Sequence, residues 1–338
     1  MNMKRNDVLK RLGYTVPESK RKRVIIHSDV RNEADDHFAI MHHLLTPSHD
    51  VLGIVAGHFE WVAREHPNAR ERLLASETGK SMPSDFFAKR GQSMELSFLE
   101  GKKLLELAEI EDIPLIRGSE FEITDLANLP QSEGADFIIA EAMKEDPRPL
   151  YVTLLGSTTD MAIALIKEPQ IANRLTVIFI GGGSYPSGGD EFNIKQDLCT
   201  SRILFEKPVP LWQIPEGTYK TMEFSFAEMV KNIQPCGALG AYLCQQMFDF
   251  NDNHGKMRFD SPFPHGETWC IGDNPTVSVL LQSKQRICWH TEKAPFINDD
   301  LSYTPNPNGK DIRVYDSIDT RLTVHDLFAK LSLCYGNA

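Results

Sequence analysis

Three carboxylates fall in one short stretch, Asp29-Val-Arg-Asn-Glu-Ala-Asp35-Asp36, and Glu33 adds a fourth. Acids this close repel one another unless water, protonation or a cation offsets the charge. A hard cation such as calcium takes about six to eight oxygen ligands, often a bidentate carboxylate and backbone carbonyls among them. The bland alternative is helix capping, with Asp35 or Asp36 held by the helix dipole. Capping accounts for one carboxylate and not for three, so the stretch reads as a metal site. Its spacing is not that of an EF-hand.

Three further segments carry groups that could do chemistry. Gly181-Gly-Gly183 leads through a turn-rich loop to Glu191-Phe192-Asn193. No phosphate-binding glycine register fits there. Glu191 and Asn193 suit the hydroxyls of a sugar, or else a loop followed by a helix cap. Asp273 stands two residues before Pro275 and an apolar run, the pattern of a helix start. His27 and His58 each close a strand, whereas His42 and His43 read as packed or solvated side chains. A phosphotransfer nucleophile two residues ahead of Asp29 is missing, because that residue is His27.

The elements that must position these groups alternate. Val24–Ser28 reads as a strand, Asp36–Leu45 as a helix and Asp50–Gly57 as a second strand. Residues 62–108 read as mostly helical, with a break near Gly79–Ser84. Ile113–Ile116 is a short strand and Gly134–Met143 an amphipathic helix. Leu150–Leu155 and Leu175–Ile180 are central strands, with a helix at Met161–Lys167 between them. Pro210–Ile214 is one more strand. Phe224–Phe248 reads as helical with a break at Pro235–Gly237, and Thr276–Leu281 as a helix. Segments 182–193 and 251–267 are turn-rich and expected to be mobile. This alternation predicts an α/β fold: a mostly parallel central sheet, helices on both faces and a Rossmann-like core. The acidic stretch then lies at the carboxyl end of the first strand, where open α/β sheets bind ligands.

The chain has 338 residues, 41% hydrophobic and 25% charged, an ordinary globular composition. Residues 1–23 read as a basic, solvated lead-in and 24–338 as a single domain. The net charge of −11 argues against nucleic acid or an anionic membrane as partner. No apolar run approaches the length of a membrane span, and no apolar h-region marks a secretory signal. The six cysteines form no C-x-x-C pair and read as reduced thiols of a cytoplasmic protein.

Taken in order, Asp29 to Leu45, Val55-Ala-Gly-His58, Leu154-Leu-Gly-Ser-Thr-Thr-Asp160, Ile180 to Asn193 and Gly272-Asp273 resemble the inosine-uridine-preferring nucleoside hydrolases. The resemblance is to a divergent branch with an Asp-x-x-Asn-Glu-x-Asp-Asp motif, over roughly residues 24 to 335. It implies a nucleoside-hydrolase-like fold and calcium-dependent cleavage of the N-glycosidic bond of ribonucleosides or related ribosides. By position, Asp29, Asp36, Asp273 and the backbone carbonyl of Leu155 would hold Ca2+. Asp29 would also be the general base for the attacking water. Asp35, His58, Glu191 and Asn193 would bind the sugar. Family members are commonly dimers or tetramers, which implies a homo-oligomer acting on a small riboside. Two departures stand out: His27-Ser28-Asp29 replaces a D-x-D opening, and Gly272 stands where many members have a histidine that protonates the leaving base. The second admits two other readings, a nucleoside- or sugar-binding protein with lost catalysis and a hydrolase of another small glycoside.

Overall fold

The computed structural model describes residues 3–68, 88–257, 266–282 and 288–336. Its strands are β1 (Lys22–Ser28), β2 (His49–Ala56), β3 (Leu115–Arg117), β4 (Leu150–Leu154), β5 (Leu175–Ile180), β6 (Leu211–Ile214), β7 (Glu223–Ser225), β8 (Thr268–Cys270), β9 (Cys288–Lys293), β10 (Phe296–Ile297), β11 (Tyr303–Thr304) and β12 (Asp311–Ser317). Eight of them form one sheet, in the order β3-β2-β1-β4-β5-β6-β12-β9. All neighbours in it are parallel except β12 and β9. The expected α/β architecture is therefore the observed one.

Strand β1 shows why. Val24 and Ile26 pack into one apolar cluster and Ile25 into the other, so both faces of the sheet are covered. A strand buried on both sides needs a continuous apolar run rather than an alternating one. The chain moves outward from β1 through β2 to β3, then returns to β4 on the other side of β1. The crevice between the carboxyl ends of β1 and β4 is thus the switch point at which such sheets bind ligands. Asp29 follows β1 and Gly156 follows β4. They meet so closely that a Cβ on Gly156 would lie 2.2 Å from Asp29 Oδ1.

Several expectations need correction. The lead-in is not simply solvated. Helix α1 (Arg5–Lys10) packs on the body of the protein, and the buried Arg5 donates to the carbonyls of Leu44 (2.7 Å) and Thr46 (2.9 Å). It thereby caps the carboxyl end of α2 (Asp36–Leu44), where a cation is favoured by the helix dipole. The segment expected as one broken helix at 224–248 is strand β7 followed by helices Phe226–Asn232 and Gly237–Met257. Residues 182–193 are tied down, with Gly188 N–H on Ser184 C=O and Tyr303 N–H on Ser187 C=O. Within 62–108 the described helices are Trp61–Glu65 and Ser93–Leu107, and the expected break at 79–84 lies outside the described residues. So does 258–265 of the second expected loop, whose start continues the helix ending at Met257. No helix among the described residues is long and apolar enough to cross a membrane.

Candidate metal centre and active site

The short link from β1 to α2 places its acids at the carboxyl edge of the sheet. Asp36 is the first residue of α2, and Asp35, just before it, accepts from the Asp36 N–H at 3.1 Å. Asp273 arrives from the other end of the chain, in the turn before the helix Pro275–Leu281. The N-cap position of that helix is Asn274 and its first residue is Pro275, so the Asp273 carboxylate is not used as its cap. Ligand oxygens of Asp35, Asp36 and Asp273 all lie within 4.8 Å of one another. Asp29 lies beside this triad, and its charge acts on both Asp36 and Asp273.

Burial and mutual repulsion push these acids toward their protonated forms. Burial first, and then the charges of Asp35 and Glu191, raise Asp29 to about 8. Burial lifts Asp35 to about 6, although backbone N–H groups of the 272–273 turn oppose the rise. Burial followed by neighbouring carboxylates holds Asp36 and Asp273 well above the ordinary range, and Glu33 rises for the same reasons. The partners within the cluster are few. Ser28 Oγ donates to Asp36 Oδ1 at 2.5 Å and Trp269 Nε1 to Glu33 at 3.2 Å, while Asp29 Oδ2 is buried with no partner. At Asp273 the four largest electrostatic influences are all other carboxylates. A dense, buried, all-oxygen donor set suits a hard dication such as calcium, so the residues fit the ion that the resemblance implies.

The remaining expected residues gather at the same edge with their own partners. Glu191 accepts from the N–H groups of Gly182 (2.8 Å), Asn193 (3.1 Å) and Ile194 (3.0 Å), and from Tyr219 Oη at 3.0 Å. Asn193 Nδ2 donates to the carbonyls of Leu155 (2.7 Å) and Ile180 (2.9 Å), which joins the ends of β4 and β5. A carbonyl oxygen has two lone pairs, so Leu155 keeps one for a cation. His58 is buried, with Nε2 on Thr159 Oγ1 at 2.8 Å and Nδ1 without a partner. Thr159 in turn donates to Asp197 at 2.9 Å. The structure thus groups Asp35, rather than Asp29, with Asp36 and Asp273 in the tightest set.

Sequence reasoning passed over two features. One is Tyr219, whose ring crowds Gly272: a Cβ there would lie 3.0 Å from Tyr219 Cδ2 and 3.3 Å from Asp35 Oδ2. The other is the pair His42 and His43, buried behind the Asp273 turn. Nothing near either one in the chain signals its partners.

Comparison with known proteins agrees with this architecture. Residues 24–323 match the sequence model described as inosine-uridine preferring nucleoside hydrolase. The chain is 22% identical to a probable uridine nucleosidase 2 of Oryza sativa subsp. japonica, over 72% of this chain and 71% of that one. A purine-preferring ribonucleoside hydrolase from Gardnerella vaginalis superposes with a TM-score of 0.66 at 17% identity, covering 93% of this chain and 99% of that one. A type III effector protein, XopQ, solved with adenosine diphosphate ribose, superposes with a TM-score of 0.64 at 12% identity, covering 97% and 98%. The chain belongs to the inosine-uridine preferring nucleoside hydrolase family.

Proposed function

We propose that this member of the inosine-uridine preferring nucleoside hydrolase family cleaves the N-glycosidic bond of a ribonucleoside or related riboside in a calcium-dependent reaction. The observation that carries this reading is the buried carboxylate set, in which the largest charge effects on Asp273 come from other carboxylates. Asp36, Asp273, Asp29 and the Leu155 carbonyl would hold the ion, with Asp35 close enough to share its oxygens between ion and sugar. Calcium, when bound, supplies charge compensation and acidifies and orients water and the ribose diol.

The protein's own groups do the rest. Asp29 Oδ2, buried and unpartnered, accepts the proton of the attacking water. The water oxygen bonds to C1′ as the C1′–N bond breaks, through an oxocarbenium-like transition state. The electron pair of that bond leaves with the base. Asp35 and His58 take sugar hydroxyls, and Glu191 and Asn193 hold the wall of the pocket beside them. Self-association as a dimer or tetramer and a cytoplasmic location belong to the same reading, and sedimentation and cell fractionation check them.

The deciding experiment is a ribose-release assay over purine and pyrimidine nucleosides and adenosine diphosphate ribose, with and without calcium, on wild type and Asp29→Ala. Ribose release that requires both calcium and Asp29 supports the reading, and full activity in Asp29→Ala overturns it. One observation favours a second reading, a riboside-binding protein with little catalysis. A side chain at position 272, where many members keep a leaving-group acid, would press on Tyr219 and Asp35, with its Cβ 3.0 Å from Tyr219 Cδ2. Stoichiometric riboside binding with no ribose released would establish that reading instead.

A further inference from the structure

Helix α2 carries Asp36 as its first residue, and His42 and His43 lie roughly two turns further on. Both histidines are fully buried, and both reach the turn that carries Asp273. His43 Nε2 lies 3.0 Å from Thr276 Oγ1, and Thr276 Oγ1 donates to the Asp273 carbonyl at 2.8 Å. His42 Nδ1 lies 3.1 Å from Asn274 Nδ2, and its Nε2 lies 2.8 Å from Asp326 on the C-terminal helix Thr320–Tyr335.

One arrangement of protons satisfies every bond of the network at once. A carbonyl only accepts, so the single hydroxyl proton of Thr276 goes to Asp273. Thr276 Oγ1 must then accept from His43 Nε2–H. That leaves His43 Nδ1 bare, so it accepts from His49 Nδ1–H across 3.0 Å. On the other branch the Asn274 amide donates to His42 Nδ1, and His42 Nε2–H donates to Asp326. Lys330, also buried, pairs with Asp326 and donates to Thr46 Oγ1 at 2.9 Å. In this arrangement both histidines are neutral Nε2–H tautomers.

We propose that His42 and His43 are positioning residues that fasten the Asp273 turn to α2, so that Asp36 and Asp273 are held at a fixed spacing against their own repulsion. This rests on the metal-centre reading above. The arrangement leaves Asn274 Oδ1 and His49 Nε2 buried without partners. Each such group costs stability, so apolar packing would serve stability better. What the polar clamp adds is a preset gap between two carboxylates that would otherwise relax apart before an ion arrives.

The test is a calcium titration by calorimetry, with terbium luminescence as a second readout, on wild type, His43→Ala, His43→Gln and Thr276→Val. Partners that orient metal ligands typically contribute about 10–100-fold in affinity. The expected result is calcium affinity weakened about tenfold or more in His43→Ala and Thr276→Val, with kcat recovered at saturating calcium. The Gln amide keeps a donor near Nε2, so His43→Gln recovers most of the affinity. If His43→Ala does not fold, the near-isosteric Thr276→Val decides. Wild-type affinity in folded His43→Ala or in Thr276→Val, or equal weakening in the Gln and Ala variants, overturns the clamp. Wild type that binds no calcium at all overturns the metal centre itself, and the clamp with it.

Discussion

The two ends of strand β1 both bury charge, and they treat it in opposite ways. At the amino end, Arg23 donates to the Glu141 carbonyl (2.6 Å) and to its carboxylate (3.1 Å), and lies 3.6 Å from Asp146. Asp146 is gripped by Arg148, which also reaches Asp50 at 2.8 Å. These hydrogen bonds from Arg148 hold the Asp146 carboxyl well below its usual range. A cleft of about 350 Å³ opens there, lined by Arg23, Lys144, Asp146 and Arg148 among others. Its walls are already paired, so it offers a ligand little. At the carboxyl end, acids crowd together: burial raises Asp29, Asp35, Asp36 and Asp273, and neighbouring carboxylates raise Asp29, Asp36 and Asp273 further. One charge set completes a fold, and the other, in the proposed reading, awaits an ion.

The largest expected effect tests that distinction at its centre. Asp36→Ala and Asp273→Ala should each abolish calcium binding and lower ribose release by about a thousandfold or more, roughly 4 kcal/mol of barrier. The same substitutions remove a repelling charge, so the metal-free variants should melt above metal-free wild type. Calorimetry and thermal melts in chelator check both halves. A variant that loses stability without calcium would mean that its carboxylate is compensated within the protein, and the contrast between the two ends would fail.

The mirror experiment is Arg23→Met. Lys144 and Arg148 still pair Glu141 and Asp146, but the buried Glu141 carbonyl and carboxylate lose their charged donor, at a cost of about 1–3 kcal/mol. Denaturant melts should show that loss, while ribose release per folded molecule and calcium affinity stay at wild-type values. A large fall in kcat with little change in stability would break the assignment of this end as structural.

Much of this layout is legible in the chain, for physical reasons that particular residues illustrate. Val24-Ile25-Ile26 is apolar without alternation, which is what a doubly covered strand requires, and the acids that follow it fall where such sheets bind. The edge strand β9 carries no comparable signal: it is largely exposed and mixes polar with aromatic residues. Arg5 reads as solvated because composition cannot show that the carbonyls of Leu44 and Thr46 stand waiting for a cation. His42 and Asn274 are 232 positions apart, and only the packing of α2 against the helix Pro275–Leu281 brings them together. The same holds for Tyr219 over Gly272. Local patterns reveal where charge is concentrated, whereas the partners that answer or fail to answer it are tertiary.

The smallest expected effect concerns pH, and its sign separates the two ends. Asp29 is raised from 3.8 to about 8 and Asp35 to about 6. Between the unfolded and folded values the native state holds protons that the unfolded chain has released. Metal-free stability therefore falls as pH rises through about 6 and about 8. Asp146 is shifted downward, so its contribution is lost only in acid below the ordinary carboxylate range. His42, lowered by burial to about 4, costs stability only as pH falls below its ordinary 6.5. From pH 8.5 to 6.5 neither of those two contributes, and uptake of about one proton at Asp29 stabilises the chelated protein by about 2 kcal/mol. Burial lowers Lys310 to about 7, which acts the other way in this window, so the Asp29 contribution is read as a difference: in chelator the melting temperature of wild type relative to Asp29→Asn should rise on acidification, and saturating calcium should flatten that slope. A slope of the opposite sign would show that the carboxylates at this end are already answered from within the protein, as those around Arg23 are.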